Sequence, residues 1–215
     1  MTAAKRQVDF TPRQPFKIPP IWSGETAYII GGGPSLKDQD LSPLQDQRTI
    51  GVNVAFRYYP WVDVVYFGDC SLYSAIRKDL LEYKGLKISS CGRVPDHGWP
   101  GVKRVTRGKP SGLESSRRDR ISWNGNSGSS AINIAFWFGV KRIVLLGFDM
   151  RIVDKNKNFH SDYGYEDPLH HPFKRYLRHF DKIAEDAKAL GIEILNCSPV
   201  SLIEQFQKVK LEDTL

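Results

Sequence analysis

The sequence is short of the patterns that mark several large classes of protein. Only three cysteines occur among its 215 residues, Cys70, Cys91 and Cys197. They are odd in number, widely spaced, and form no CxxC or Cys/His pattern at zinc-site spacing, so neither a disulfide framework nor a structural zinc site is expected. They read as reduced thiols in a reducing, cytoplasmic compartment. The longest apolar runs, such as Ile143-Val144-Leu145-Leu146, have the length of a buried strand and not of a membrane span. The opening Met1-Thr2-Ala3-Ala4-Lys5-Arg6 lacks the apolar segment of a secretory signal, which points to a cytoplasmic protein. Strict G-x-G-x-x-G and G-K-[ST] patterns are both missing, which removes the standard dinucleotide fingerprint and the Walker phosphate loop. No internal repeat is present, so a solenoid is excluded.

What the sequence does contain is an ordinary apolar fraction, 40%, and a surplus of positive charge, 31 Lys and Arg against 24 Asp and Glu. A chain of this length buries one good-sized core, so one domain is expected over residues 25–215. The charge suggests an anionic partner. Its richest source, Lys103 to Arg120, is interleaved with Gly108, Pro110, Ser111, Gly112, Ser115 and Ser116, which predicts a basic loop over 103–125 and not a recognition helix. Such a loop serves as a solvated surface, or as a contact for nucleic acid or a phosphorylated substrate.

Pro12, Pro15, Pro19 and Pro20 make residues 1–24 an extended or partly disordered arm. After it, Thr26-Ala27-Tyr28-Ile29-Ile30 ends in three glycines, the pattern of a buried parallel strand that turns at once into the next element. Residues 49–52, 62–67, 86–88, 102–105, 141–146 and 192–195 read as further strands. Helices are expected over 71–83 and 127–138, and over one long stretch in which Phe173, Leu177, Phe180, Ala184, Ala187 and Leu190 recur at helical spacing before Gly191. Strands alternating with helix-length segments predict an α/β, single Rossmann-like domain, a mainly parallel sheet with helices on both faces.

In such sheets ligands lie beyond the carboxyl ends of the strands, so the residues that follow each strand are the candidates. Gly31, Gly32, Gly33, Pro34 and Ser35 follow the first; glycines let main-chain amides approach a phosphate, and they also suit a tight turn. Asn53 follows the second strand. Asn126, Ser127 and Gly128 stand where an apolar helix begins, as a helix cap or as an anion site on its open amides. Asp69 and Asp149 follow buried strands, where a carboxylate holds Mg²⁺ or a ribose hydroxyl, or simply closes a turn. The polar segment 151–172 is long enough to form a lid, and its His160, His170 and His171 are candidates for a general base, or surface histidines.

Taken in order, Ile30-Gly31-Gly32-Gly33-Pro34-Ser35-Leu36, Val52-Asn53, Asn126-Ser127-Gly128, Leu146-Gly147-Phe148-Asp149 and Cys197-Ser198-Pro199-Val200-Ser201-Leu202 resemble the bacterial lipooligosaccharide sialyltransferases, over about residues 26–206. The resemblance implies a cytidine nucleotide held by the glycine turn, Asn53 and Ser127-Gly128, with no metal. It also implies a histidine before the last helix, matched best by His170 and His171, that deprotonates an acceptor hydroxyl. The asparagine that those enzymes carry within the glycine turn is Gly32 here, and their Thr-Ser-Gly is Asn126-Ser127-Gly128. The pattern is also similar to the 6-hydroxymethylpterin pyrophosphokinase-like proteins, which implies ATP with Mg²⁺ on Asp69 or Asp149; small proteins of this kind occur in phage genomes. Both resemblances imply a transferase that uses a nucleotide-activated donor and a hydroxyl acceptor, with a sugar favoured as the group moved. The reading of a different class is a non-enzymatic module that binds nucleotide or nucleic acid through its basic loop.

Overall fold

The computed structural model describes residues 14–92, 99–162 and 172–215. In chain order the strands are β1 (Thr26–Ile30), β2 (Arg48–Val52), β3 (Val64–Phe67), β4 (Leu86–Ser89), β5 (Val102–Arg104), β6 (Thr106–Arg107), β7 (Arg120–Ile121), β8 (Arg142–Leu146), β9 (Glu193–Asn196) and β10 (Gln207–Lys208). The helices are α1 (Ala55–Tyr58), α2 (Cys70–Glu82), α3 (Ser127–Phe138), α4 (Phe173–Leu177) and α5 (Phe180–Ala189). Eight strands make one sheet in the order β10-β9-β8-β1-β2-β3-β4-β5, and every pairing in it is parallel. β1 lies between β2 and β8, with Ile29 opposite both Ile50 and Leu145. The chain therefore runs outward from β1 in one direction through β5, then returns to build β8, β9 and β10 on the other side. That reversal puts the switch point of the sheet beyond the ends of β1 and β8.

Alternate strand residues feed two cores, which is why β1 and β8 are apolar almost throughout. On one face Ile29, Ile50, Val64 and Leu145 meet Ala131, Ile134 and Phe138 of α3 and Phe180 and Ile183 of α5. On the other, Tyr28, Ile30, Val65 and Leu146 meet Phe56, Ile76 and Leu80. Each large side chain buried in this way contributes about 1.5–3 kcal/mol. α3 is buried nearly all round, and it stops at Gly139, whose φ of 90° is a left-handed conformation that suits glycine at a helix end. The described end of the arm packs on this layer: the Trp22 ring sits 4.4 Å from that of Phe138, and the Trp22 main-chain N–H donates to the Phe138 carbonyl at 2.9 Å.

Two expectations are corrected. The long last helix is two helices, broken at Arg178 and His179. In an unbroken helix the Tyr176 carbonyl would accept the N–H of Phe180; here it accepts from the side chain of Asn126 at 3.3 Å. Cys70 and Cys91 are not both reduced thiols but a disulfide with Cα atoms 5.4 Å apart, brought together because they follow β3 and β4, which pair side by side in parallel. Cys197 alone is a free thiol, and burial pushes it up to about 11. The basic stretch, read as a solvated surface or an anion contact, also fastens the fold through its arginines. The Arg118 guanidinium donates to the carbonyls of Ile18 and Trp137, Arg117 pairs with Asp119 at 2.7 Å, and Arg107 donates to the Gly68 carbonyl at 2.5 Å.

Candidate nucleotide site

A cavity of about 400 Å³ opens at the switch point, bounded by the residues that follow β1, β2, β3 and β8, by the start of α3, by Lys157 and Asn158, and by α4. Gly31, Gly32, Gly33, Asn53, Asp69, Asn126, Ser127, Gly128 and Asp149 all line it. Ser35 does not. Its N–H and hydroxyl both donate to the Asp149 carboxylate, at 2.7 and 2.5 Å, and Asp149 is only 1% exposed. A larger recess of about 550 Å³ lies among Thr106–Lys109, Glu114, Arg117, Asp119 and Arg120. It is basic, with Arg107, Lys109, Arg117 and Arg120 against Glu114 and Asp119, but no residue that follows β1 or β8 lines it, so it lies away from the switch point and is the weaker candidate.

The glycine turn is glycine for two reasons. Gly31 and Gly33 donate their N–H groups to the carbonyls of Leu146 and Gly147, both at 2.8 Å, which lays the turn against the end of β8. A Cβ on Gly31 would stand 2.7 Å from the Gly147 carbonyl oxygen, and one on Gly33 would stand 2.6 Å from the Asp149 carboxylate. These two are thus required by packing. Gly32 is different: its N–H makes no hydrogen bond among the described residues, and the residue lines the cavity.

The opposite wall is the N-terminus of α3. Asn126 caps it by accepting the Ser129 N–H at 2.8 Å, which leaves the amides of Ser127 and Gly128 without intrahelical partners. No acidic residue stands in the first turn, so the partial positive charge of the helix end is uncompensated. A Cβ on Gly128 would stand 2.8 Å from the Phe148 ring, so the close approach of Phe148 requires glycine there. Phe148 is in turn clamped by the tail: its N–H donates to the Ser198 hydroxyl at 2.8 Å and its carbonyl accepts the Ser201 hydroxyl at 2.6 Å.

Asn53 adopts φ 58°, and its side-chain Oδ1 is buried without a hydrogen-bond partner. Such an acceptor costs free energy until a ligand donates to it. Asp69 caps α2 by accepting the N–H and hydroxyl of Ser71. Asp69 and Asp149 are each engaged with a serine, and the described residues hold no group of three or more His, Cys, Asp and Glu placed for a metal.

The histidines divide. His170 and His171 fall outside the described residues. His160 lies behind the glycine turn, its Nε2 3.7 Å from where a Gly32 Cβ would be, and its ring stacks on Tyr58 with centroids 5.6 Å apart. Burial holds its pKa below the usual range, with Asp162 opposing the shift. It is neutral near pH 7 and lies outside the cavity lining.

Sequence reasoning missed Trp123, Lys157, Asn158, Phe173, Arg175 and Tyr176, all of which line the cavity. Segment 151–172 was singled out as a wall, but nothing in it set Lys157 and Asn158 apart. Arg175 and Tyr176 sit between the apolar positions of a helical pattern, where a solvent face is the ordinary expectation. Trp123 is read only once the guanidinium of Arg107 is seen 3.5 Å above its ring.

This architecture is that of a Rossmann-like α/β domain, a mainly parallel sheet with helices on both faces. The chain is similar to the sialyltransferase CstII from Campylobacter jejuni in complex with cytidine-5′-monophosphate, with 16% identity, 87% of this chain and 85% of that chain covered, and a TM-score of 0.50. It is also similar to CstII in complex with the substrate analogue CMP-3FNeuAc, at 15% identity, 86% of each chain and a TM-score of 0.48. A third is CST-II with a trisaccharide acceptor and CMP, at 15% identity, 86% of each chain and a TM-score of 0.47. The likeness is one of fold. No family model and no curated protein matches the chain. Among the described residues no helix is long and apolar enough to cross a membrane.

Proposed function

We propose that this protein is a glycosyltransferase of sialyltransferase type, which moves a sugar from a cytidine nucleotide to an acceptor hydroxyl without a metal. The observation that carries the reading is the orphaned Oδ1 of Asn53, held in the same cavity as the unspent amides of Gly32, Ser127 and Gly128. A nucleotide answers both needs, because its hydroxyl or amino groups donate to Asn53 while its phosphate accepts from the amides. The fold shared with a protein whose structure contains CMP supports the cytidine.

In the proposed step a histidine takes the proton of the acceptor hydroxyl as its oxygen bonds to the anomeric carbon. The bond from that carbon to the phosphate oxygen breaks, and the electron pair leaves with the nucleotide. The amides of Ser127 and Gly128 at the N-terminus of α3 receive the charge, with the cations Lys157 and Arg175 in the same lining. His171 is the base in this reading, with His170 as its neighbour; both directly precede Pro172 and α4, whose Phe173, Arg175 and Tyr176 line the cavity.

The test is a thermal-shift and calorimetric titration with CMP, UMP, ADP and ATP, with and without Mg²⁺, followed by turnover of a CMP-sugar. Stabilisation by CMP without metal is expected, with His171→Ala lowering turnover by about 100- to 10,000-fold while CMP still binds. Stabilisation by ATP only with Mg²⁺ would replace this reading by a pyrophosphokinase-like one, and no response to any nucleotide would overturn both.

A further inference from the structure

The glycine turn is poorer in donors than its composition suggests. The N–H groups of Gly31 and Gly33 are spent on β8 and its following residue, that of Ser35 on Asp149, and Pro34 has none. Only Gly32 is left to offer an amide to a phosphate. Opposite it stands Asn158, whose Oδ1 lies 3.3 Å from the position that a side chain on residue 32 would occupy. The bare Cα of Gly32 is therefore the space into which this carboxamide fits.

The placement is built and not incidental. The Phe159 N–H donates to the Gly32 carbonyl at 3.0 Å and fixes the neighbouring residue against the turn. The Phe159 ring packs on Tyr58 and Tyr59 at 5.0 and 5.9 Å, and Asp162 pairs with Arg57 at 3.1 Å, so α1 holds the segment from outside. Within the cavity the Asn158 carboxamide has no hydrogen bond among the described residues. Rotation about its last bond presents either its acceptor or its two N–H donors to a ligand.

We infer that Asn158 is a phosphate-binding residue, whose carboxamide N–H closes with the Gly32 amide on the nucleotide phosphate from the side facing α3. The inference rests on the nucleotide reading and adds to it a ligand contact supplied by the segment after β8. A carboxamide suits the place because it adds donors without adding to the charge that Lys157 and Arg175 already bring to the lining.

Asn158→Asp and Asn158→Ala, with the wild-type protein, are titrated at pH 7.5 with CMP and with cytidine, which shares the nucleoside but has no phosphate. Asn158→Asp keeps the shape and replaces the donor by a negative charge; CMP affinity is expected to fall by about 10- to 100-fold, with cytidine affinity within twofold of wild type. Asn158→Ala loses CMP by about three- to tenfold and shows the same indifference to cytidine; it carries the test should the aspartate variant fold poorly. CMP affinity in both variants equal to wild type would overturn the clamp alone, as would an equal loss of CMP and cytidine. Failure of the wild-type protein to bind either ligand would remove the nucleotide reading itself, and the clamp with it.

Discussion

Replacing Asn53 with glycine should make the protein more stable and a worse binder of CMP. The residue carries two costs in the unliganded fold: a buried Oδ1 without a partner, and a backbone at φ 58°. Leaving a buried acceptor unsatisfied costs about 1–3 kcal/mol, and the left-handed region, which asparagine tolerates better than most residues, is still easier for glycine. Glycine relieves both and gives back about 0.5–1 kcal/mol through its freer unfolded chain. The main-chain bond from the residue-53 N–H to the Tyr66 carbonyl, 2.8 Å, is untouched. Allowing for relaxation around the site, the net gain is about 1–2 kcal/mol, which for a domain of this size raises Tm by about 2–8 °C. CMP then loses one hydrogen bond, weakening its binding by about 2- to 12-fold. Thermal denaturation of both proteins, alone and over a CMP titration, reads both effects together. A fall in the Tm of the unliganded variant would refute the reasoning, because Asn53 would then be holding the fold and not awaiting a ligand.

Three further outcomes are expected. Reducing the Cys70–Cys91 bridge, which closes a sequence separation of 21 residues, should lower stability by about 3 kcal/mol, seen as a fall in Tm with dithiothreitol; an unchanged Tm would mean that the bridge contributes nothing. Gly33→Ala places a Cβ 2.6 Å from the Asp149 carboxylate and should cost about 1–3 kcal/mol and abolish CMP binding, whereas a neutral result in denaturant melts would deny the tight approach of the turn to β8. His160 has a folded pKa below its ordinary 6.5, so the unfolded chain takes up a proton that the folded protein refuses. Its contribution is fully present above pH 6.5 and is lost as pH falls below it, so urea melts between pH 8 and 5 should show a shallower loss in His160→Gln than in wild type.

The strands were the most legible part of the sequence. Thr26–Ile30 and Arg142–Leu146 are buried on both faces, so their apolar runs carry a signal that no surface requirement dilutes. Short β6, β7 and β10 have two residues each and no pattern to read. The break between α4 and α5 was invisible because its cause is a side chain about fifty residues earlier, Asn126, and apolar spacing reports only the buried face. The site was legible where the main chain makes it, at the residues following each strand. It was hidden where side chains arrive from elsewhere, as with Asn158, Arg175 and Trp123. Ser35 illustrates the opposite error: it stands in the motif, yet its hydroxyl is consumed by Asp149.

The clamp of Ser198 and Ser201 on Phe148 bears on biosynthesis. β1 is made early, but the strand that completes its second edge, β8, follows more than a hundred residues later, and Phe148 beyond β8 is held by two serines that are made later still. As the chain emerges from the ribosome, the glycine turn waits for β8 and Phe148 waits for Ser201, so the wall that Phe148 gives the cavity is among the last parts of the fold to take shape. A nascent protein halted before that residue has most of its sheet, and the Phe148 carbonyl beside the cavity lacks the hydroxyl that it accepts in the finished fold.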